Sequence, residues 1–168
     1  MAEIIDLAAR EDAIWQALEE VKDPEVPVLS VLNLGVVRSV KLDGDDLEVT
    51  ITPTYSGCPA MDMIEAHIRK ALGRAGYADA RVTTVLSPAW TTDWIDEDGR
   101  AKLKAFGIAP PEKASASKRA LFAEPPVVAC PQCGSKNTEM VSEFGSTACK
   151  ALYKCGDCRE PFDYFKCI

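Results

Sequence analysis

Two Cys-x-x-Cys pairs near the end of the chain carry its strongest chemical pattern. The first is Cys130-Pro-Gln-Cys133 and the second is Cys155-Gly-Asp-Cys158. The interval 134–154 fits a hairpin that returns the second pair to the first. Four thiolates at this spacing form a closed tetrahedral site, the usual arrangement of structural zinc. Sulfur ligands alone do not distinguish zinc from iron, so a mononuclear iron site or a cluster is the alternative to the favoured zinc ribbon.

A further cysteine, Cys58, lies in the loop Thr52-Pro-Thr-Tyr-Ser-Gly-Cys-Pro-Ala60, between a strand pattern over 46–52 and a helix pattern over 61–77. Cys58 is therefore predicted just before the helix or in its first turn, with Pro59 suited to the opening helical position. Unpaired N–H groups and the helix dipole favour a thiolate there, so Cys58 could be a nucleophile, a sulfur carrier or a metal ligand. The alternative is a small apolar residue beneath a loop, and position alone does not decide between them.

Two carboxylates, Asp23 and Glu25, lie in the proline-rich segment Asp23-Pro-Glu-Val-Pro27. They could form a pair beside Cys58 that acts on its proton or on a metal. The alternative is a turn in which Asp23 makes a local bond from its side chain to the backbone, and the pattern alone favours this second interpretation. The only histidine, His67, lies near the apolar side of the 61–77 helix and is predicted to be a packed or half-exposed residue rather than a ligand or base.

The elements that must position these residues form an α+β domain. In chain order the predicted elements are a helix over 7–21, strands over 36–42 and 46–52, a helix over 61–77, a strand over 81–86, and a helix capped by Thr92 and Asp93 that ends at Gly107. Asp43-Gly44 marks a hairpin turn between the first two strands. The sequence therefore predicts a small three-stranded sheet with helices packed on one face, followed by the four-cysteine zinc ribbon.

Composition shifts divide the chain into a domain over 1–108, a proline-, alanine- and serine-rich linker over 109–126, and a zinc-ribbon domain over 127–168. The last part is too short to fold on an apolar core alone, so metal binding is expected to supply much of its folding free energy. Its aromatic residues are predicted to pack around it: Phe144, Tyr153, Phe162, Tyr164 and Phe165. Cys149 and Cys167 are predicted to be packing residues, with a role as accessory ligands as the alternative.

Charge and cysteine usage narrow the function further. The net charge of -7 argues against a broad phosphate-binding surface, so no nucleic-acid partner is expected. No apolar run reaches membrane-spanning length and no basic region precedes an apolar core at the start, which indicates a cytoplasmic protein without a membrane partner. Seven cysteines, an odd number, indicate metal and reactive thiols rather than disulfides in that setting.

Several motifs together resemble a known family. Asp23–Pro27, Leu34-Gly-Val-Val37 and the Cys58 loop resemble the iron–sulfur assembly family that includes SufT and the cytosolic iron–sulfur assembly factor of eukaryotes. This resemblance covers about residues 10–108. Within that family, Ser87-Pro-Ala-Trp-Thr-Thr-Asp-Trp94, Lys104–Pro111 and the four-cysteine tail resemble the PaaD-like proteins of phenylacetate-degradation clusters, a likeness that spans nearly the whole chain.

The resemblance implies an accessory factor that matures an iron–sulfur component of phenylacetyl-CoA epoxidase, a di-iron oxygenase fed by a reductase with a [2Fe–2S] cluster. No catalytic turnover is expected. The family's reactive cysteine corresponds to Cys58, which would hold iron or a cluster transiently, and its acidic turn corresponds to Asp23 and Glu25. The implied partners are the epoxidase subunits, especially the reductase. Whether Cys58 would act alone, across a homodimer interface or only with a client stays open.

Three other functions compete with this one. A structural subunit of the oxygenase complex would need no maturation role. A nucleic-acid-binding ribbon is opposed by the acidic balance and by the lack of a basic stripe in the tail. A thiol–disulfide enzyme is opposed because both Cys-x-x-Cys pairs are assigned to one metal site.

Overall fold

The computed structural model describes residues 2–111 and 127–166, and its chain divides into two compact units, Met1–Trp90 and Thr91–Ile168. The second unit includes Ile108–Ala109, which form a strand that pairs within it. Most of the predicted linker, residues 112–126, lies outside the described residues.

The first unit is a three-stranded sheet with two helices. Its elements are α1 (Ala2–Glu19), β1 (Val37–Asp43), β2 (Asp46–Ile51), α2 (Met61–Arg74) and β3 (Arg81–Thr84). Strands β1 and β2 form an antiparallel hairpin, whereas β2 and β3 are parallel, and the sheet order is β1-β2-β3. Parallel neighbours need a crossover connection, and α2 supplies it. The predicted α+β architecture of this unit is confirmed.

The apolar core of the first unit follows the predicted periodicities. Helix residues spaced four apart are buried, and β2 buries alternate residues because strand side chains alternate between faces. The buried residues are Ile14 and Leu18 of α1, Ile64, Ile68 and Leu72 of α2, and Leu47, Val49 and Ile51 of β2. Burying each such side chain contributes about 2 kcal/mol, which fixes α2 and the loop before it against the sheet.

Both helices of the first unit end earlier than the sequence predicts. α1 ends at Glu19 rather than residue 21, and α2 ends at Arg74 rather than residue 77. At the second of these ends, Gly76 adopts a φ of +98°, and the N–H of Tyr77 bonds to the carbonyl of Leu72 at 2.9 Å. This Schellman closure stops the helix. None of the helices in the described ranges has the length and apolarity needed to cross a membrane.

The second unit combines a helix with a four-stranded sheet. A short 3-10 helix (Thr92–Trp94) is followed by α3 (Glu97–Phe106), β4 (Ile108–Ala109), β5 (Thr138–Ser142), β6 (Lys150–Cys155) and β7 (Pro161–Phe165). The sheet order is β4-β7-β6-β5, with β4 parallel to β7 and the other pairs antiparallel. The predicted hairpin between the two cysteine pairs is therefore β5–β6. Strand β4, which precedes the first cysteine pair in the chain, forms one edge of the same sheet.

The start of α3 corrects one prediction. The helix begins at Glu97 and its cap is Asp96, whose Oδ1 accepts a hydrogen bond from the N–H of Gly99. Thr91 caps only the preceding 3-10 helix, through the N–H of Asp93. Several consecutive polar residues can each cap a helix, and the sequence alone did not rank them. The predicted end at Gly107 agrees with the structure, since that glycine has a φ of +91°.

Candidate functional site

The four cysteines of the second unit converge on one point. The sulfurs of Cys130 and Cys158 are 3.7 Å apart, those of Cys133 and Cys155 are 3.6 Å apart, and all four lie within 4.8 Å of one another. A tetrahedral site with zinc–sulfur distances of about 2.3 Å places its sulfurs about 3.8 Å apart. The residues therefore fit a zinc ribbon, and the four cysteines are positioned to bind a metal ion.

The local backbone explains why the two pairs meet. The N–H of Gly134 bonds to the carbonyl of Cys130 at 2.9 Å, and Gly134 has a φ of +76°, which closes the first turn tightly. In the antiparallel hairpin, Thr138 of β5 lies opposite Cys155 of β6. The N–H of Cys155 bonds to the carbonyl of Glu160 at 3.0 Å and closes the second turn. The hairpin therefore sets the separation of the two pairs.

Backbone N–H groups of the same turns bond to the sulfurs and change their titration. The N–H groups of Cys158 and Asp157 help lower the pKa of the Cys155 thiol to about 7. The N–H of Glu160 acts in the same direction on Cys158, but loss of hydration and the neighbouring thiols outweigh it and raise the pKa of Cys158 to about 12. Crowded thiols cannot all ionise together without a cation, and a metal ion would supply that charge.

A polar cluster beside the metal site was not predicted from the sequence, in which residue 157 looked like a simple spacer. The hydroxyl of Ser135 donates to one oxygen of Asp157, and the amide of Asn137 donates to the other at 2.8 Å. These hydrogen bonds lower the pKa of Asp157. The sequence did contain signals of this cluster, namely the acceptor Asp157 inside the second cysteine pair and the donors Ser135 and Asn137 just after the first pair. These residues come together only through the register of the β5–β6 hairpin.

Cys58 of the first unit lies in a different setting. It is half-buried, and it precedes α2 in a turn rather than within the helix. Its N–H bonds to the carbonyl of Tyr55 and its carbonyl accepts from the N–H of Met61, both at 3.2 Å. The helix starts after Ala60, so Pro59 does not occupy the opening helical position as predicted. The placement of Cys58 just before α2 agrees with the sequence.

The segment around Asp23 forms the turn that the sequence pattern favoured, in which the Asp23 side chain bonds to the local backbone. Asp23 is buried, and its Oδ1 accepts from the N–H of Glu25 at 2.8 Å and from the N–H of Val26 at 2.7 Å. Its own N–H bonds to the carbonyl of Leu29 at 2.9 Å. Asp23 therefore stabilises the corner by side-chain-to-backbone bonds. Glu25 is half-buried beside it.

A chain of backbone hydrogen bonds connects this corner with the Cys58 loop. The N–H of Val31 bonds to the carbonyl of Val21, the N–H of Val36 to that of Val31, and the N–H of Thr52 to that of Val36. The corner and the first residue of the loop thus belong to one hydrogen-bonded layer. Thr52 is 1% exposed, and its Oγ1 has no hydrogen-bond partner in the part of the chain that the structure describes.

The remaining candidates are His67, the two other cysteines and Phe144. His67 is an exposed residue of α2, and not the packed or half-exposed residue that the sequence predicted. Cys149 is buried, with its sulfur 3.1 Å from the hydroxyl of Thr147, which agrees with the predicted packing role. Cys167 lies outside the described residues. Phe144 was predicted to pack in the tail but is 61% exposed, because it follows the edge strand β5.

Two family models match the chain, one in each half. A model described as iron–sulfur cluster assembly protein matches residues 11–86, and one described as PaaD zinc beta ribbon domain matches residues 114–166. The first covers the Cys58 loop and the second covers all four clustered cysteines.

Individual relatives agree with this division. A protein of Escherichia coli (strain K12), provisionally named as a subunit of 1,2-phenylacetyl-CoA epoxidase, is 50% identical over 92% of this chain and 92% of its own. The Fe-S protein maturation auxiliary factor YitW of Bacillus subtilis (strain 168) is 40% identical over 51% of this chain and 84% of its own. A crystal structure of a domain of unknown function, DUF59, from Bacillus anthracis is 28% identical, with a TM-score of 0.53, over 57% of this chain and 92% of its own.

Proposed function

Because the chain belongs to the PaaD-like family, which joins an iron–sulfur assembly domain to a zinc β-ribbon, we propose that it helps to mature an iron–sulfur component of phenylacetyl-CoA epoxidase. The client proposed is the reductase of that multicomponent oxygenase. The chain itself is proposed to turn over no substrate. Cys58 would receive and pass on the cargo, and the ribbon, holding zinc, would dock the client.

The observation that carries the proposal is the partial exposure of Cys58 in a turn at the head of α2. A transfer ligand must be reachable from solvent and must not be enclosed in a permanent site. Cys58 is half-buried, and the loop on its N-terminal side contains the exposed residues Ser56 and Gly57. A relative that shares this domain is named a maturation auxiliary factor, which supports the same role.

Ligand exchange gives the transfer a simple chemical course. The iron of the cargo, an ion or a cluster, leaves the sulfur of Cys58 as a client thiolate bonds to it. The proton of the client thiol passes to solvent or to Cys58, and no oxidation state changes. The carboxylates of Asp23 and Glu25 are proposed to act on the proton of Cys58 or on the metal during this exchange.

Co-expression tests the transfer role. The chain and its cognate reductase are produced together, and iron and acid-labile sulfide are measured per reductase. Cys58→Ser should lower reductase cluster content several-fold, since a hydroxyl is a poor ligand for iron. Cys149→Ser is the matched control, because it removes a thiol that packs elsewhere. The transfer role fails if Cys58→Ser loads the reductase as well as the unmodified chain does.

An exposed apolar surface on the second unit supports the docking role. It consists of Met140, Val141 and Phe144, all solvent-exposed. The pairing of β5 with β6 is irregular between Met140 and Ser142, and this bulge carries Val141 as an additional residue on an edge strand. Exposed methionine and aromatic side chains of this kind are enriched where proteins associate.

Phe144 is also held in place on this surface. Its N–H bonds to the hydroxyl of Ser142, and the ammonium of Lys166 lies 4.1 Å from the centre of its ring. The same ammonium donates to the carbonyl of Glu143 at 2.7 Å. A side chain fixed before binding loses less entropy on association, so Phe144 would be a favourable anchor for the client.

A pair of variants tests docking separately from transfer. Phe144→Ser should weaken binding to the reductase about tenfold or more in a titration, as expected for an aromatic anchor. Phe106→Ser is matched, since Phe106 is 56% exposed in the same unit but lies at the end of α3. If the two variants bind the reductase equally well, the β5 surface does not dock the client, and the proposed role of Cys58 is unaffected.

A structural component of the epoxidase is the second candidate function, favoured by the name of the Escherichia coli relative described above. In that case the chain would co-purify with the oxygenase subunits in fixed stoichiometry. Cys58→Ser would then change neither the complex nor reductase loading.

A further inference from the structure

The two halves of the metal site are tied together by side chains that are not ligands. Ser135 lies two residues after Cys133, and Asp157 lies between Cys155 and Cys158. One carboxylate oxygen of Asp157 accepts from the hydroxyl of Ser135. The other accepts from the amide of Asn137 at 2.8 Å, so both oxygens of this one carboxylate are bonded to the segment between the first pair and β5.

The same residues also contact the cysteines through their backbones. The carbonyl of Ser135 accepts from the N–H of Cys130 at 2.8 Å, and the N–H of Ser135 bonds to the sulfur of Cys133. The N–H of Asp157 bonds to the sulfur of Cys155. Each partner of the Ser135–Asp157 hydrogen bond is therefore bonded to a metal ligand by its own main chain. A shift of the side chains would move the N–H groups that hold the sulfurs.

Gly156 completes this contact by allowing close approach. Its N–H bonds to the carbonyl of Asn137 at 2.7 Å. A Cβ at position 156 would lie 2.6 Å from the Nδ2 and 2.9 Å from the Cγ of Asn137. A side chain here would push the Asn137 amide away from Asp157. The glycine thus leaves room for the Asn137 amide to reach Asp157.

We infer that Ser135, Asn137 and Asp157 form a brace that fixes the separation of the two cysteine pairs and so determines how firmly the site retains its metal ion. These three are positioning residues, since none of them offers a ligand to the tetrahedral site. The inference depends on the four-cysteine geometry alone and is independent of the maturation role proposed for Cys58. Groups that orient the ligands of metal sites change affinity by about 10- to 100-fold when removed.

Zinc retention in the full chain tests the brace. The zinc-loaded protein is mixed with an excess of a chromogenic chelator, and the rate of zinc release is recorded. Asp157→Ala should release zinc about tenfold faster or more. Ser135→Ala should act in the same direction and more weakly, since Asn137 still bonds to the carboxylate. Ser135→Thr, which keeps the hydroxyl, should restore most of the retention.

Charge must be separated from positioning. Glu160→Gln removes one negative charge two residues after Cys158 from an exposed side chain, so it matches Asp157→Asn in charge. The brace predicts fast release in Asp157→Asn, because the NH2 group that replaces one carboxylate oxygen cannot accept the hydrogen bond that this oxygen accepted, and little change in Glu160→Gln. Similar release from the two variants would mean that charge, and not bracing, is responsible, and the inference would be wrong.

A spectroscopic readout addresses geometry directly. With Co²⁺ in place of zinc, the ligand-field bands report the arrangement of the four sulfurs. Asp157→Ala and Gly156→Ala should shift or broaden these bands, whereas Glu160→Gln should leave them unchanged. Unaltered bands together with zinc release within about twofold of the unmodified chain would overturn the inference, since removing an orienting group changes metal affinity by about tenfold or more. If Asp157→Ala does not accumulate as folded protein, the two variants of Ser135 and Gly156→Ala decide the matter alone.

Discussion

The two cysteine sites of this chain have opposite surroundings. In the second unit, four sulfurs face one another, backbone N–H groups bond to them, and the Ser135–Asp157–Asn137 brace joins the two halves. In the first unit, Cys58 is half-buried in a short turn at the head of a helix. A closed set of four ligands retains a metal, whereas a single reachable cysteine can exchange one. This contrast underlies our proposal that the second unit retains its metal and that Cys58 exchanges its cargo.

The largest expected effect concerns the closed site. Cys155→Ser should abolish stoichiometric metal binding and unfold the β5–β7 region, because binding of a structural metal supplies on the order of 10 kcal/mol of folding free energy. Cys58→Ser should leave zinc content and fold unchanged. Elemental analysis and circular dichroism of both variants check this. Loss of zinc from the Cys58 variant would break the division of roles.

The pH dependence sharpens the same contrast. Metal binding requires thiolates, and in the free cluster the pKa is about 7 for Cys155 and about 12 for Cys158. Below these pKa values protons compete with the metal for the sulfurs. The affinity of the four-cysteine site for its metal should therefore rise with pH. We expect a change of about tenfold or more per pH unit between about pH 6 and 7, where at least these two thiols must lose protons. Chelator competition at a series of pH values measures this, and a flat profile contradicts it.

The smallest expected effect concerns the acidic corner. Asp23→Ala removes the acceptor for one buried and one partly buried N–H group and should lower the unfolding free energy of the first unit by about 2 kcal/mol. Asp23→Asn keeps one acceptor oxygen and should cost less. Chemical denaturation of the two variants gives these values. If the asparagine variant is as stable as the unmodified chain yet loads the reductase poorly, Asp23 has a chemical role beside Cys58 as well as a structural one.

Local patterns in the sequence predicted the hairpin, the placement of Cys58 before α2 and the four-cysteine site. Each depends on residues close together in the chain or on ligand spacing. The sequence did not predict the pairing of Ile108–Ala109 with β7, because this short contact joins residues that lie far apart in the chain. It also missed the brace, which exists only once the register of β5 and β6 is set. The pairing of distant strands is hard to predict from sequence, because a short edge strand has too few residues to show a periodic pattern of apolar side chains.

Iron and acid-labile sulfide, measured with zinc in anaerobically purified and reconstituted protein, most directly test whether Cys58 is the exchange ligand. We expect about one zinc per chain in both the unmodified protein and Cys58→Ser. Iron, with or without sulfide, should bind only to the unmodified protein and pass from it to the iron-free reductase. Iron that binds equally to Cys58→Ser, or that displaces zinc from the four clustered cysteines, would contradict the account.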